Sequence, residues 1–266
     1  MSWKELLARV QPKDHLVQLY ESDDSLTRRV SHYVSEGLEL QEGVIAIAAE
    51  PHRELLAAQL AKDDVDVERV LGEGRLVLLD AEETLSRFMV EGRPDSELFQ
   101  ESLGSVIDGV RDAGRFRGMR LYGEMVDLLW RDGNPSAAAH LEKLWHELLH
   151  RLDLRLLCAY RMDILDRAFR DNAFQSVLTI HSHLVPVAGG DELERAVERA
   201  MEDVLGRDRV RALRPLMAAT VIPGVAVGAA ESAILWVSKA LPGECDEILV
   251  RARFHYFELT PSPELA

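Results

Sequence analysis

Five short apolar runs fall at positions 15–20, 44–49, 75–79, 119–123 and 154–160, and stretches with helix-period apolar residues separate them. That alternation predicts βαβ units and a mainly parallel sheet. Between the first two runs, Leu26, Val30, Tyr33, Val34 and Leu38 keep helical spacing behind the capping candidates Asp23, Asp24 and Ser25, with Gly37 as the stop. Pro51 stands where a first helical turn tolerates it, and 54–61 continues as helix. Positions 96–113, 136–152 and 166–180 read as three further helices.

Past Pro186 and Gly189-Gly190 the pattern changes. Leu193, Val197, Ala200, Met201, Val204 and Leu205 line one face of a helix over 191–205, and 229–241 and 244–259 read as helices split by Pro242-Gly243. The expected organisation is an α/β unit over 13–186 and an all-helical appendage over 190–262. The appendage's apolar stripes must pack on the α/β unit or on a second copy of the chain, with Trp236, Phe254, Tyr256 and Phe257 supplying an interaction surface.

Composition narrows the function more than the fold. A formal net charge of −15 opposes direct binding to nucleic acid or an anionic membrane, and Asp203 and Asp208 dilute the arginine run 207–214 into a solvated helix face. The two cysteines, Cys158 and Cys245, suit a reducing, cytoplasmic setting and neither a disulfide framework nor a zinc site. The opening Met1-Ser2-Trp3-Lys4-Glu5 predicts no secretion signal, and the apolar 221–227, broken by Pro223 and Gly224, is too short to span a bilayer.

A nucleotide-binding α/β protein of the phosphate-loop type would follow its first strand with a glycine-rich loop, a lysine and a Ser/Thr. Here 20–29 contains neither glycine nor lysine, and Glu21, Asp23 and Asp24 stand where a triphosphate would lie. Like charges at that range repel by roughly 1–4 kcal/mol per close pair. No ATPase activity is expected. The acids equally suit a helix N-terminus.

A series of short motifs carries a family resemblance. It runs from His15 through Tyr20 to Asp23, then Gly37-Leu38 with Gly43, Gly74-Arg75-Leu76 with Leu79-Asp80-Ala81, and Tyr122-Gly123-Glu124-Met125-Val126 with Leu129-Trp130. Leu141-Glu142 with Leu144-Trp145, and Leu157-Cys158-Ala159-Tyr160, complete it. In this order and spacing the series resembles the MEDS domain, the sensory domain of methanogens, methylotrophs and the dichloromethane-responsive regulator DcmR. The same stretch is similar to KaiC-type members of the RecA-like superfamily. The resemblance implies a three-layer α/β/α, RecA-like core and a sensory or regulatory role in signal transduction or transcriptional control. The implied partners are a small-molecule ligand, a signalling protein such as a histidine kinase or transcription regulator, or a second copy of the chain. Kinase motifs and a recognisable helix-turn-helix are missing from the sequence.

Open parallel sheets bind ligands beyond the carboxyl ends of their strands. Glu21, Glu50, Asp80, Glu124, Tyr160 and Arg161 fall at those ends, and the candidate ligand-binding residues are His15, Tyr20, Glu21, Asp23, Glu50, Glu124, Trp130, Tyr160 and Arg161, with no cofactor, no metal and no catalytic residue expected. In the KaiC-type comparison Glu50 lies in the region of the catalytic glutamate and Glu124 near the Walker-B acid. The plainer reading has such carboxylates capping helices or pairing with Arg28, Arg53 or Arg120. Trp130 is read as core or pocket wall.

Two histidine patterns need an answer. His146-Glu147-Leu148-Leu149-His150 matches the short zinc-helix pattern, but no third ligand stands at suitable spacing and Leu148, Leu149 and Leu152 read as a buried stripe. His181 and His183 are two apart and would share a metal only in an extended segment, whereas a helix end before Pro186 is predicted there. Cys158 has apolar neighbours and no base near it in sequence, so a buried, inert thiol is expected. The competing enzyme reading is residual nucleotide hydrolysis by Glu50 and Glu124, or zinc hydrolysis by His146 and His150.

Overall fold

The structure, a computed structural model, describes residues 3–114, 116–218 and 222–260. Position 221 of the apolar segment 221–227, and positions 219–221 and 261–262 of the expected appendage, lie outside the described residues. Six parallel strands form the main sheet: β1 (His15–Tyr20), β2 (Gly43–Ala48), β3 (Leu76–Asp80), β6 (Met119–Gly123), β7 (Arg155–Arg161) and β8 (His183–Leu184). Two short strands, β4 (Met89–Val90) and β5 (Arg93–Pro94), make a separate antiparallel hairpin. The order across the sheet is β3-β2-β6-β7-β1-β8.

Period-2 alternation divides the strand side chains between two buried faces. Leu16 and Tyr20 of β1, Val44 and Ala46 of β2, and Leu157 and Ala159 of β7 face one layer. That layer comprises α1 (Trp3–Leu7), α2 (Asp23–Glu39), α3 (Glu50–Lys62) and α4 (Val67–Gly72). Val17 and Leu19, Ile45 and Ile47, and Cys158 and Tyr160 face the other. There α5 (Ala81–Ser86), α6 (Ser96–Ala113), α7 (Met125–Arg131), α8 (Pro135–Leu152), α9 (Arg167–Arg170) and α10 (Asn172–Leu178) pack. The result is a three-layer α/β/α fold.

The single helix predicted over 166–180 is two. Asp171 is extended, at φ −68° and ψ 145°, between α9 and α10. Phe169 and Phe174 are both fully buried, and five residues of continuous helix would set them about 140° apart; the break lets both enter one core. The helix end predicted before Pro186 is instead β8, which pairs with the outer edge of β1. A residue preceding proline favours extended backbone, and the strand covers an edge that would otherwise be open.

Beyond residue 189 run α11 (Gly190–Leu205), α12 (Arg207–Ala218), α13 (Ala229–Ala240) and α14 (Cys245–Leu259). Leu193, Val197 and Met201 of α11, Ile234 and Val237 of α13, and Ile248 and Ala252 of α14 are buried in the same apolar cluster as the second sheet face. Trp236, expected at an interaction surface, is buried here too, because α13 is enclosed along most of its length. Val250, Phe254 and Phe257 stay exposed on α14. Among the described residues no helix is long and apolar enough to cross a membrane.

Candidate functional site

Helix placement creates two crevices at the carboxyl ends of the strands. The chain leaves β2 into α3 on one face, whereas its neighbour β6 leads into α7 and α8 on the other. The adjacent pair β1 and β7 diverges likewise, into α2 and into α9. Strands that part in this way leave the openings where α/β proteins bind ligands.

Glu124 closes the first crevice. Its Oε2 accepts hydrogen bonds from the Ala49 backbone N–H at 3.1 Å and from His52 Nδ1 at 2.8 Å, and its Oε1 accepts from the Tyr122 hydroxyl at 2.5 Å. His52 Nε2 then lies 3.3 Å from Asp23 Oδ1, so the imidazole bridges two carboxylates. The Glu124 hydrogen bond is the main cause holding the His52 pKa above its ordinary 6.5, against the opposing effect of burial. Asp127, one turn into α7, links this crevice to the next. It accepts from the Tyr20 hydroxyl at 3.2 Å and from the Arg161 backbone N–H at 2.8 Å. Burial pushes the Asp127 carboxyl up, and it pushes both tyrosine hydroxyls up as well. Arg161 reaches back to Asp23 at 3.0 Å and to the Glu21 carbonyl at 3.4 Å.

Beside this network a cavity of about 290 Å³ opens at the ends of β1 and β7. Its apolar wall includes Leu19, Ile164 and Leu165 from the sheet side, and Leu193 and Phe257 from α11 and α14. Glu21, Arg29, Asp163, Arg253 and Tyr256 supply polar groups. Arg253 pairs with Asp163 and also with Asp166 at 3.0 Å, while Arg29 donates to the Pro186 carbonyl at 2.6 Å. Partial burial, followed by repulsion from Asp163, pushes the Glu21 carboxyl up. The C-terminal helices thus complete the wall of a cavity at the switch between strands.

Of the residues expected from sequence, Tyr20, Asp23, Glu124 and Arg161 come together in the network, and Glu21 and Tyr20 reach the cavity. Glu50 is exposed in the first turn of α3, apart from Glu124, because two residues of helix set it about 200° around from the inward-facing His52. Asp80 caps α5 through the Glu83 N–H and pairs with Arg53 at 2.9 Å, as the plainer reading had it. Trp130 and Tyr160 stack edge-on with ring centroids 5.8 Å apart, and both meet Phe174; they pack in the core of the second sheet face and do not line the cavity. Sequence reasoning missed His52 and Asp127. Each sits on a helix, one turn past a strand end, where nothing in the local pattern separates it from a surface residue.

His15 lies elsewhere, at the start of β1 on the face covered by α8. There it meets Cys158 of β7, Glu142 of α8 and His181 after α10, all buried. Its Nε2 is 3.3 Å from Cys158 Sγ and 3.3 Å from Glu142 Oε2. Cys158 is the buried strand thiol expected from sequence, and the base that its own segment lacks, His15, arrives from another strand. His181 pairs with this group and not with His183, and its Nδ1 meets the Val177 carbonyl at 2.8 Å. Burial lowers the pKa of both His15 and His181 to about 3, and it pushes the Cys158 thiol up. The signal that would have revealed the group was a charged Glu142 within the apolar stripe Ala138, Leu141, Trp145, Leu149.

Fold and site together define a three-layer α/β/α domain whose first strand leads into a short acidic turn. The chain belongs to the MEDS family, the methanogen/methylotroph, DcmR sensory domain, whose model matches residues 14–181, more than half of its length. No curated protein matches it. The family is one of sensory domains, and the matched span contains both the crevice network and the His15 group.

Proposed function

We propose that the protein is a non-enzymatic sensory or regulatory protein that takes a small, partly apolar organic ligand into the cavity at the ends of β1 and β7. The observation that carries this reading is the joint wall. Leu193, Arg253, Tyr256 and Phe257 come from α11 and α14, so an occupant would touch the sheet and the C-terminal helices at once. A ligand shifts an equilibrium only through contacts that differ between its states, and a cavity shared by two packed parts supplies such contacts. Sensory-family membership supports the same reading. The output would run through the exposed row Val250, Phe254 and Phe257 to a signalling partner, such as a histidine kinase or transcription regulator, or to a second copy of the chain.

The turn into α2 supports the non-enzymatic part. Ser22 caps the helix by accepting from the Ser25 N–H at 3.3 Å, and Asp23 is engaged by His52 and Arg161, so the helix N-terminus where a phosphate would sit already holds the chain's own hydroxyl and carboxylate. On this reading the domain descends from a RecA-like ancestor without its phosphate loop and works in the cytoplasm.

Native mass spectrometry of the tag-free chain tests the proposal. A small molecule should co-purify with wild type and be lost in Val187→Trp, which places an indole at the cavity wall. Wild-type protein that carries no small molecule, and shows no thermal shift with a panel of small alcohols, ketones and carboxylic acids, would contradict it.

A further inference from the structure

The group around His15 does not join the ligand cavity, and its polar atoms are poorly matched as they stand. Glu142 is fully buried, and its ion-pair partners among the described residues are His15 and His181. Tyr160 donates to Glu142 Oε1 at 2.7 Å, which leaves Oε2 facing His15, Cys158 and His181. His181 Nδ1 must donate to the Val177 carbonyl, since a carbonyl only accepts, and this directs Nε2 toward Glu142. At 3.6 Å that contact is too long for a hydrogen bond, and His181 Nε2 has no hydrogen-bond partner among the described residues. His15 Nδ1 is also buried without one. A proton shared between Glu142 and one imidazole would satisfy one of these groups and leave the others facing a buried carboxylate.

A metal ion satisfies the four atoms that face one another, His15 Nε2, Cys158 Sγ, Glu142 Oε2 and His181 Nε2. We propose that His15, Glu142, Cys158 and His181 form a four-coordinate site for a divalent transition-metal ion of the zinc class. The donor atoms lie within 4.8 Å of one another. Zinc–ligand distances of 2.0–2.3 Å in a tetrahedron require donor–donor edges of about 3.3–3.8 Å. Four edges are His15 to Cys158 at 3.3 Å, His15 to Glu142 at 3.3 Å, Cys158 to Glu142 at 3.5 Å and His181 to Glu142 at 3.6 Å. Four of the six edges of a tetrahedral shell therefore have the required length, and the two from His181 to His15 and to Cys158 lie within 4.8 Å. Two nitrogens, one sulfur and one carboxylate oxygen suit zinc or its close neighbours better than calcium or magnesium.

The surroundings are those of a metal centre as well. Val177 fixes the His181 ring, and Tyr160 orients the Glu142 carboxylate, the outer hydrogen bonds that metal ligands use. A thiolate and a carboxylate would bring two negative charges, which a divalent ion neutralises; the Cys158 proton leaves to solvent as the ion binds. The ligands come from β1, α8, β7 and the turn after α10, so the ion would tie two strands to the helical layer on one face.

This inference stands apart from the ligand cavity. Elemental analysis of the tag-free full chain, followed by cobalt(II) titration of stripped protein, tests it. One zinc-class ion per chain is expected, and cobalt should give intense tetrahedral d–d bands with a thiolate charge-transfer band that zinc abolishes. Cys158→Ser should remove the charge-transfer band while Cys245→Ser keeps it. Tyr160→Phe, which leaves all four ligands, should weaken binding about 10- to 100-fold. His150→Ala, on the exposed side of α8, should change nothing. The proposal is overturned if wild type holds no ion and gives no cobalt band. It is equally overturned if the band survives Cys158→Ser, or if His150→Ala releases the ion. Should Cys158→Ser fail to fold, the contrast between wild type and Cys245→Ser decides, because the chain has only these two cysteines.

Discussion

At the scale of single residues, His52 does what no strand-end acid could do alone. It holds Glu124 on one side and Asp23 on the other, which joins the ends of α2, α3 and β6. Its raised pKa means that the folded chain binds the proton more tightly than the unfolded chain does. The resulting stabilisation is complete below the ordinary value of 6.5 and fades as pH rises through the higher folded-state value. Urea unfolding of wild type and His52→Gln across this range checks the sign. The stability gap between them should be widest on the acidic side of 6.5 and shrink toward alkaline pH; a gap that widens with rising pH would contradict the bridging role.

Residues of this kind also mark where sequence reading stopped. Glu124 was legible because a Gly-Glu-Met-Val turn between a strand and a helical segment is unusual local chemistry. His52 was not, because its partners stand 29 and 72 positions away and only the fold brings them close. The same holds for Cys158, which looks inert beside Leu157 and Ala159 until His15 approaches from the neighbouring strand.

At the scale of elements, strands announced themselves and short segments did not. The five apolar runs appear in the sheet within a residue or two of their expected limits, because a parallel strand buried on both faces needs continuous apolar sequence. β8 has two residues and takes its identity from the edge of β1, so no periodicity could signal it. The split between α9 and α10 arises from where Phe169 and Phe174 must go, a tertiary demand that overrides a continuous helical pattern. The apolar stripe of α11, by contrast, was explicit, and it docks where such a stripe has to. Met201 on that stripe is fully buried, so Met201→Ala should cost about 2–5 kcal/mol. Denaturation followed by both circular dichroism and tryptophan fluorescence should show one transition moved to lower denaturant. A second transition confined to the helical signal would mean that α11 unfolds apart from the sheet.

At the scale of the whole molecule, the C-terminal helices both share the core and are tied to the loops at the strand ends. Arg253 of α14 binds Asp163 and Asp166 in the segment after β7, Arg170 of α9 binds Asp246 at 3.0 Å, and Tyr256 donates to the Ala188 carbonyl at 3.0 Å. Exposed pairs among these contribute little each, about 0–1 kcal/mol. That weakness suits a junction that must rearrange, since elements that move in a response come from the less stable end of a structure. The apolar row Val250, Phe254 and Phe257 lies on the same helix, so a shift of α14 would move the cavity wall and the outward face together.

If filling the cavity is felt along α11 and α14, hydrogen–deuterium exchange of Val187→Trp should differ from that of wild type in both helices. The indole serves as a tethered occupant, so no ligand need be known. Altered exchange is expected throughout Gly190–Leu205 and Cys245–Leu259, the two helices that wall the cavity, with the sheet strands unchanged. A change confined to the residues next to position 187, with both helices exchanging as in wild type, would contradict it.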